Sequence, residues 1–385
     1  MLEEESMDVQ PPSIPKDVVL QGTITEFLNK YYPGATTDNW ESWEWQLSNS
    51  IVNKAQLERF IDLTDLEKEY FEKSNSKKFR VTPFIMKLIV DKPIEYPLRK
   101  MFIPSSLSLL VSEDEQIDSL EEDKHNPTKH IVHKYPDRLL FLVTNFCAVG
   151  CQFCTRSRKL YTEENTNYEL DYQYIRDHKE IRDVIISGGD PLTLNLDVLE
   201  GILKELYKIS HIEIIRIGTK VPIVLPQRIL EDTTMNYLLH KYSDKLWINI
   251  NICHPDELTP EAIQACKEIA KLSIPLGSQT VLLKDINDST EVMTALMHKI
   301  LTAKVRPLYL YACDKTVGSE YMRTSVEKGI EISLGLQGHT SSLAIPRYVI
   351  DTSLGKIPVD LGRAKLCQDG AYFLENYSGE KLKYK

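Results

Sequence analysis

The sequence predicts an α/β protein whose core is a parallel sheet. Six short apolar runs that are typical of strands follow one another between residues 139 and 311, and stretches with helical periodicity separate them. Strands that alternate with helices in this way form either an open doubly wound sheet or a partial barrel. In both architectures the functional groups lie at the carboxyl ends of the strands.

Each strand candidate is a short apolar run, and each helix candidate has an apolar face. Residues 196–206 place their leucine and isoleucine side chains on one face of a helix. Thr259 followed by Pro260 is typical of a helix start, and residues 288–303 form a third helical stretch. The six strands are predicted at residues 139–144, 183–187, 212–217, 246–251, 277–283 and 305–311.

The chain before the first strand has a different character. Residues 1–36 are predicted to be a flexible arm that ends near a turn, and residues 37–130 are predicted to be mostly helical, as a cap or an oligomer contact. The sheet core is expected over residues 131–345. Residues 346–385 are expected to form a short C-terminal extension.

Charge and hydropathy exclude several classes of function. The chain of 385 residues has a formal net charge of −10, which argues against a protein that binds nucleic acid by neutralising phosphates. No apolar run is long enough to cross a membrane, and the acidic first residues do not resemble a signal peptide. We therefore expect a cytoplasmic protein with neither nucleic-acid nor membrane partners.

Three of the seven cysteines, Cys147, Cys151 and Cys154, lie together directly after the first predicted strand. Three thiolates can bind three irons of a [4Fe-4S] cluster and leave the fourth iron open to a small molecule. Gly150 allows the loop to curl tightly. Zinc stays a possible alternative because histidines lie upstream. The other cysteines, Cys253, Cys266, Cys313 and Cys367, are scattered and are predicted to be core residues.

The second predicted strand ends in a glycine turn, Ser187-Gly188-Gly189-Asp190-Pro191. Glycines expose backbone carbonyl groups and allow a ligand to approach closely. By itself the motif is weak, since an ordinary turn has the same composition. Its position at the carboxyl end of a strand makes it a candidate binding loop.

The cysteine triplet at the start of a β/α series, followed by this glycine turn, resembles the radical S-adenosylmethionine (SAM) superfamily. Over residues 38–375 the sequence is similar, more narrowly, to the lysine 2,3-aminomutase family. The similarity is carried by WEWQ at 43–46, HKYPDR at 133–138, CTRSR at 154–158, IRIG at 215–218 and GHTS at 338–341.

The resemblance implies a partial (β/α)6 barrel and an isomerase that moves the α-amino group of an amino acid to the β-carbon. L-lysine is the first choice of substrate. Three cofactors are implied: a [4Fe-4S] cluster, SAM and pyridoxal 5′-phosphate (PLP). The implied partners are the amino acid, an electron donor such as flavodoxin or ferredoxin, and further copies of the chain in a homo-oligomer.

The resemblance also implies roles for individual residues. Lys356, in Gly355-Lys356-Ile357-Pro358, occupies the place of the lysine that holds PLP, and is the candidate catalytic residue. Matches to family positions imply further cofactor-binding residues. Those for PLP are Lys134, Tyr135 and Arg138, and those for SAM are Ser187, Gly188, Gly189 and Asp190. Arg216 and Gln279 are also implied to bind a cofactor.

Three charged residues match positions that bind the substrate in this family. Arg156 matches the arginine that binds the substrate carboxylate. Asp314 and Asp351 match the two aspartates that hold the side-chain ammonium of lysine. A relative specific for glutamate is expected to replace both acids with neutral or basic residues.

The sequence departs from the family in and around the expected pocket. The turn from Asp351 to Lys356 is two residues shorter than is usual, and Leu308 replaces an aromatic residue. Asn251 and Cys253 stand where histidine and asparagine are usual. Ser289 stands where many members have a zinc-binding cysteine, which argues against structural zinc. Other substrates therefore stay open.

Two alternatives are compatible with parts of this pattern. The same chemistry on arginine would also suit two aspartates. A non-catalytic iron-sulfur electron carrier would need the cysteines but neither Arg156 nor Lys356.

Overall fold

The protein is described by a computed structural model over residues 24–74, 79–162, 167–362, 364–366, 372–376 and 378–384. Before the sheet, the described chain contains seven short α-helices. Side chains such as Thr64 and Thr82 cap these short helices by accepting a backbone N–H of the first turn. The helices are α1 (Ile24–Tyr31), α2 (Thr37–Glu41), α3 (Trp43–Ser48), α4 (Lys54–Leu57), α5 (Asp65–Lys73), α6 (Pro83–Ile89) and α7 (Pro97–Phe102).

Helix α1 corrects the prediction of a flexible arm over residues 1–36. Phe27, Leu28 and Tyr31 are buried, and the Tyr31 ring stacks on Phe60 with centroids 4.7 Å apart. Burial of aromatic area stabilises this helix, although its eight residues would be marginal in isolation. The rest of the expected arm, residues 1–23, lies outside the described residues.

One nine-stranded sheet, with each strand paired to the next along the chain, forms the core. The seven strands β2 to β8 are parallel, and an antiparallel strand flanks them at each edge. The strands are β1 (Ile131–Tyr135), β2 (Arg138–Thr144), β3 (Asp183–Gly188), β4 (Ile214–Thr219), β5 (Leu246–Asn251), β6 (Leu276–Leu282), β7 (Arg306–Ala312), β8 (Arg347–Thr352) and β9 (Gly355–Pro358).

Helices connect each parallel strand to the next, which makes six β/α units and confirms the partial (β/α)6 barrel. Within β4, Ile215 and Ile217 are buried beneath the helices, so the alternation of side chains turns Arg216 to the interior of the barrel. The helices are α8 (Glu169–Asp177), α9 (Leu196–Lys208), α10 (Val221–Val224), α11 (Gln227–Leu230), α12 (Thr233–Lys241), α13 (Pro260–Lys271), α14 (Thr290–Thr302) and α15 (Val326–Leu336).

The boundary predicted between core and extension, after residue 345, is wrong. Strand β8 continues the parallel sheet, with Tyr309 of β7 opposite Arg347, and buries Tyr348 and Val349. The extension is a separate antiparallel sheet of β10 (Ala364–Leu366), β11 (Tyr372–Glu375) and β12 (Lys381–Tyr384). Asp351, near the carboxyl end of β8, therefore lies at the same end of the barrel as the residues that follow the other parallel strands.

Three of the scattered cysteines, Cys253, Cys266 and Cys313, are buried, as predicted. Cys367 lies outside the described residues. Among the helices that the structure describes, none is long and apolar enough to cross a membrane.

Candidate active site

The cysteine loop follows β2 at the carboxyl end of the barrel, and the N-terminal helical region holds it in place. The Gly150 N–H donates to the carbonyl oxygen of Arg80 (2.8 Å), and the Gln152 N–H donates to that of Met101 (3.0 Å). These bonds satisfy backbone groups of a loop that has no regular secondary structure. The helical region, which the sequence indicated only as a cap, therefore shapes the cluster loop.

Two residues that sequence reasoning missed lie against this loop. The Tyr161 hydroxyl donates to the carbonyl oxygen of Cys147 (3.1 Å), and the Arg80 guanidinium lies over the rings of Phe146 and Tyr161 at 5.0 and 5.6 Å. Tyr161 has a backbone φ of 56°, which is uncommon for an aromatic residue. No sequence signal marks either residue, because their contacts join distant segments.

The surroundings of the thiols fit binding to positively charged iron ions. Burial raises the pKa of Cys147 and Cys151 well above that of an ordinary thiol, and the neighbouring cysteines raise both further. Thiolates there need a compensating cation, which the irons of a cluster supply. In the described chain, no group of three acidic, histidine or cysteine side chains is close enough to hold a single metal ion. The spacing of the three thiols is compatible with a cluster, because each thiol of a cluster binds a different iron.

The glycine turn after β3 packs directly on the end of β2. A Cβ at Gly188 would lie 2.2 Å from the carbonyl oxygen of Thr144, and one at Gly189 would lie 2.2 Å from that of Phe146. Gly188 also has a φ of 116°. Only glycine fits at both positions, so the turn and the cysteine loop form one unit.

Asp190 binds protein groups rather than facing an open space. Its carboxylate accepts hydrogen bonds from the Thr219 hydroxyl (2.6 Å) and from the backbone N–H groups of Lys220 (2.6 Å), Val221 (3.1 Å) and Leu192 (3.1 Å). Burial nevertheless raises its pKa. The residue therefore joins the glycine turn to the end of β4, and a direct contact with SAM stays a prediction.

Lys356 lies in β9, the second strand of the tight hairpin that β8 and β9 form. Its Nζ lies 2.5 Å from the Tyr311 hydroxyl and 4.3 Å from the centre of the Tyr309 ring. Burial lowers the pKa of Lys356, and the positive charges of Arg216 and Arg138 lower it further against the opposing effect of Asp351. A lowered pKa increases the neutral amine, which is the form that attacks an aldehyde.

Side chains of strand β1 and of the start of β2 lie near this lysine. The Tyr135 hydroxyl accepts the Lys356 N–H (2.8 Å), and the Lys134 Nζ donates to the carbonyl oxygen of Thr352 (2.6 Å). The Arg138 guanidinium lies 3.9 Å from the centre of the Tyr135 ring and pairs with Asp137. The structure thus brings Lys134, Tyr135 and Arg138 to the Lys356 hairpin, and their binding of PLP stays a prediction.

Arg216 and Gln279 face the same interior. The Arg216 Nε donates to Asp183 (2.9 Å), and the Gln279 Nε2 donates to the Tyr311 hydroxyl (3.2 Å). Tyr311, which sequence reasoning missed, therefore contacts both Gln279 and Lys356. Ser187 is the half-buried last residue but one of β3.

Arg156 is bound by a residue that the sequence did not single out. Its Nε and Nη2 donate to the Glu122 carboxylate at 3.0 and 2.6 Å, and both side chains are largely buried. Burial lowers the pKa of the Arg156 guanidinium, but the charge and hydrogen bonds of Glu122 raise it by more, so the pKa is raised overall. Glu122 lies in the helical region, far from Arg156 in sequence.

Asp314 and Asp351 share one electrostatic environment with Arg156 and Lys356. The pKa of Asp314 is raised to about 7, mainly by burial and also by the charges of Asp351 and Glu122. The positive charges of Arg156 and Lys356 oppose this rise. Burial also raises the pKa of Asp351. The shortened turn does not remove Asp351, because Asp351 lies opposite Lys356 in the antiparallel register.

The pKa of Asp314 predicts a pH dependence for a cationic ligand. Below pH 7 Asp314 is mostly neutral, and at pH 6 only about one tenth is ionised, so lysine should bind up to about tenfold more weakly at pH 6 than at pH 8. The lysine side chain stays charged over this range because its pKa is about 10.4. Dissociation constants of lysine measured between pH 5.5 and 8.5 check this prediction. Norleucine, which has an uncharged side chain, is the control ligand. A dissociation constant for lysine that does not change with pH would contradict the prediction.

The barrel and the cysteine loop define the class of this protein as a radical SAM enzyme. In agreement, residues 141–297 match the Radical SAM superfamily. The chain is 40% identical over 337 residues to the L-lysine 2,3-aminomutase of Fusobacterium nucleatum, covering 86% of this chain and 79% of that protein. It is 41% identical over 367 residues to that of Methanococcus maripaludis, covering 93% and 84%.

The chain belongs to the lysine 2,3-aminomutase family. It is therefore an isomerase of the aminomutase class, and its cofactors are a [4Fe-4S] cluster, SAM and PLP, as predicted. A glutamate 2,3-aminomutase from Clostridioides difficile is also 37% identical over 325 residues, covering 83% of this chain and 76% of that protein. Family membership alone does not select the substrate side chain.

Proposed function

We propose that this enzyme converts L-lysine to L-β-lysine. The observation that carries the proposal is the pair of buried acids, Asp314 and Asp351, which interact electrostatically with each other, with Lys356 and with Arg156. An amino acid with a carboxylate at one end and an ammonium at the other matches these charges. The names of two relatives with 40 and 41% identity are consistent with this substrate.

The acidic pair favours a cationic side chain for an electrostatic reason. Both carboxyl groups are buried and have raised pKa values, so ionising them without a partner is costly. A lysine ammonium between them compensates that cost. A glutamate side chain would bring a further carboxylate to the acidic end, and like charges in a poorly solvated site repel strongly.

The chain's own residues then divide the work of binding. Arg156 binds the substrate carboxylate, and Lys356 with Lys134, Tyr135 and Arg138 holds PLP. Ser187, Gly188 and Gly189, supported by Asp190, hold SAM beside the cysteines. When bound, the cluster with SAM supplies a radical that activates a C–H bond, and PLP supplies the carbonyl group that carries the migrating nitrogen. The protein mainly positions the reactants and excludes water.

Reduction of the cluster needs a one-electron donor of low potential. We propose a small redox protein such as flavodoxin or ferredoxin for this role. A cytoplasmic location and a homo-oligomeric state stay predictions from the sequence.

Neutral substitutions in the acidic pair test the substrate. Loss of one partner of a buried charge pair costs about 3–5 kcal/mol. Asp314→Asn and Asp351→Asn should therefore lower kcat/KM for lysine by roughly a hundred- to several-thousand-fold, at about 1.4 kcal/mol per decade. Iron and PLP content should not change. Anaerobic assays with lysine, arginine, glutamate and alanine measure both the loss and the preference.

Asp177→Asn, an exposed position in α8, is the matched control and should behave as the unsubstituted enzyme. Normal lysine turnover by Asp351→Asn would contradict the proposal. So would a preference of the unsubstituted enzyme for glutamate or alanine, and faster turnover of arginine would move the assignment to that substrate.

A further inference from the structure

We propose that Glu122 is a positioning residue that fixes Arg156 for the substrate carboxylate and keeps it away from the acidic pair. The inference rests on the proposed lysine substrate and adds a residue to its recognition. Glu122 touches Arg156 rather than the substrate, so its effect on binding is exerted through the arginine.

The contact between the two side chains occupies one edge of the guanidinium. Glu122 Oε1 accepts from Nε (3.0 Å) and Nη2 (2.6 Å), and Oε2 lies 3.2 Å from Nε. The Glu122 side chain is only 6% exposed. Two hydrogen bonds fix the plane as well as the position of a guanidinium, which leaves the Nη1 edge to another acceptor.

Ion pairs connect the segment that contains Glu122 to the cysteine loop. Arg158, two residues after Arg156, pairs with Asp118 and Asp123 at 3.0 Å each, on both sides of Glu122 in sequence. The Asp123 N–H also donates to Asp118 (2.9 Å). The segment around Glu122 therefore contacts the loop that carries Arg156 at several points, which favours the observed pairing of the two side chains.

The same segment is also linked to the hairpin that contains Asp351. Lys134 donates to the carbonyl oxygen of Leu120 (3.3 Å) as well as to that of Thr352, the residue after Asp351. Residues 118–123 thus connect the loop of Arg156 with the hairpin of Asp351 and Lys356.

Without Glu122, the charges in the pocket would favour a different arrangement. Asp351 and Asp314 both interact electrostatically with Arg156, and burial keeps the pKa of both acids raised despite the described cations around them. A freed guanidinium would turn toward them, because opposite charges attract strongly in a poorly solvated site. The arginine would then neutralise the acids that we assign to the substrate ammonium. Binding of the substrate carboxylate and binding of its side-chain ammonium would both weaken.

The test compares ligands with and without a carboxylate. Dissociation constants for L-lysine and L-lysinamide are measured by calorimetry at pH 8 on enzyme loaded with cluster and PLP, without SAM or reductant so that no turnover occurs. The unsubstituted enzyme should prefer lysine to lysinamide. Glu122→Gln should reduce that preference about tenfold or more, because the arginine is no longer fixed. Iron content, PLP content and Tm serve as checks of folding.

Two further variants make the result specific. Glu121→Gln changes the neighbouring residue, whose carboxylate pairs with Lys124 at the surface, and should keep the full preference. Glu122→Asp keeps the charge but shortens the side chain by one methylene, so the carboxylate no longer reaches Arg156 in the same way. It should also reduce the preference for lysine over lysinamide. This variant provides the test if Glu122→Gln does not fold. An unchanged ratio of lysine to lysinamide in either Glu122 variant would overturn the inference. If the unsubstituted enzyme did not bind lysine more tightly than norleucine, the proposed function would fail instead.

Discussion

Replacement of Cys151 by alanine is expected to remove most of the iron and to reduce turnover to background. A cluster that is bound by three thiolates loses a ligand, and each of the three thiols is expected to bind a separate iron. Another described cysteine, Cys253, interacts electrostatically with Cys151, but its side chain is fully buried and its thiol donates to Asn251 Oδ1 (3.6 Å). It is therefore not free to replace Cys151. Cys147→Ala and Cys154→Ala should give the same result.

Iron analysis and electron paramagnetic resonance of the reduced protein measure this loss. Cys266→Ala is the matched control, since Cys266 is buried in α13 away from the loop. It should lose some stability, of the order of 1 kcal/mol, but keep its iron. Full iron and normal turnover in Cys151→Ala would rule out the cluster assignment.

Replacement of Lys356 by alanine is expected to abolish the covalent attachment of PLP and with it catalysis. The lowered pKa of this lysine increases the fraction of neutral amine at physiological pH, and its contact with Tyr311 positions Nζ inside the barrel. The proposed contacts of PLP with Lys134 and Arg138 do not depend on Lys356, so we expect some cofactor to bind without the covalent bond. Turnover of lysine should fall below detection.

Borohydride reduction followed by peptide mapping locates the attachment. In the unsubstituted enzyme the pyridoxyl group should be found on Lys356, and in Lys356→Ala it should be lost. Lys204→Ala, at an exposed position of α9, is the control and should keep both label and activity. A label on a different lysine would refute the assignment.

Much of the barrel could be predicted because its signals are local. All six predicted strands are present, and their ends differ from the prediction by at most two residues, as for Ile214–Thr219 against 212–217. Short apolar runs separated by amphipathic stretches identify buried parallel strands without knowledge of their neighbours. Strand β8 was missed because only two of its six residues, Tyr348 and Val349, are buried, so it has no apolar run like those of the other parallel strands. Helix α1 was missed because its stability comes from distant aromatic residues such as Phe60.

The candidate site divides in the same way. The cysteine triplet, the glycine turn and Lys356 are contiguous motifs, so the chain alone indicates the chemistry of cluster, SAM and PLP. Asp314 and Asp351 were found by similarity, but only the register of β8 and β9 places Asp351 opposite Lys356. The shortened turn left that question open at the level of sequence.

The sequence by itself determined the fold class, the cofactor motifs and the family of this protein, because each depends on residues adjacent in the chain. The tertiary structure alone decided which charges meet. Glu122, Arg156 and Asp314 come from the helical region, the cysteine loop and the loop after β7, and their electrostatic interactions depend on distances that sequence separation does not give. The partner of Arg156, the raised pKa of Asp314 and the lowered pKa of Lys356 all follow from burial and from these distances.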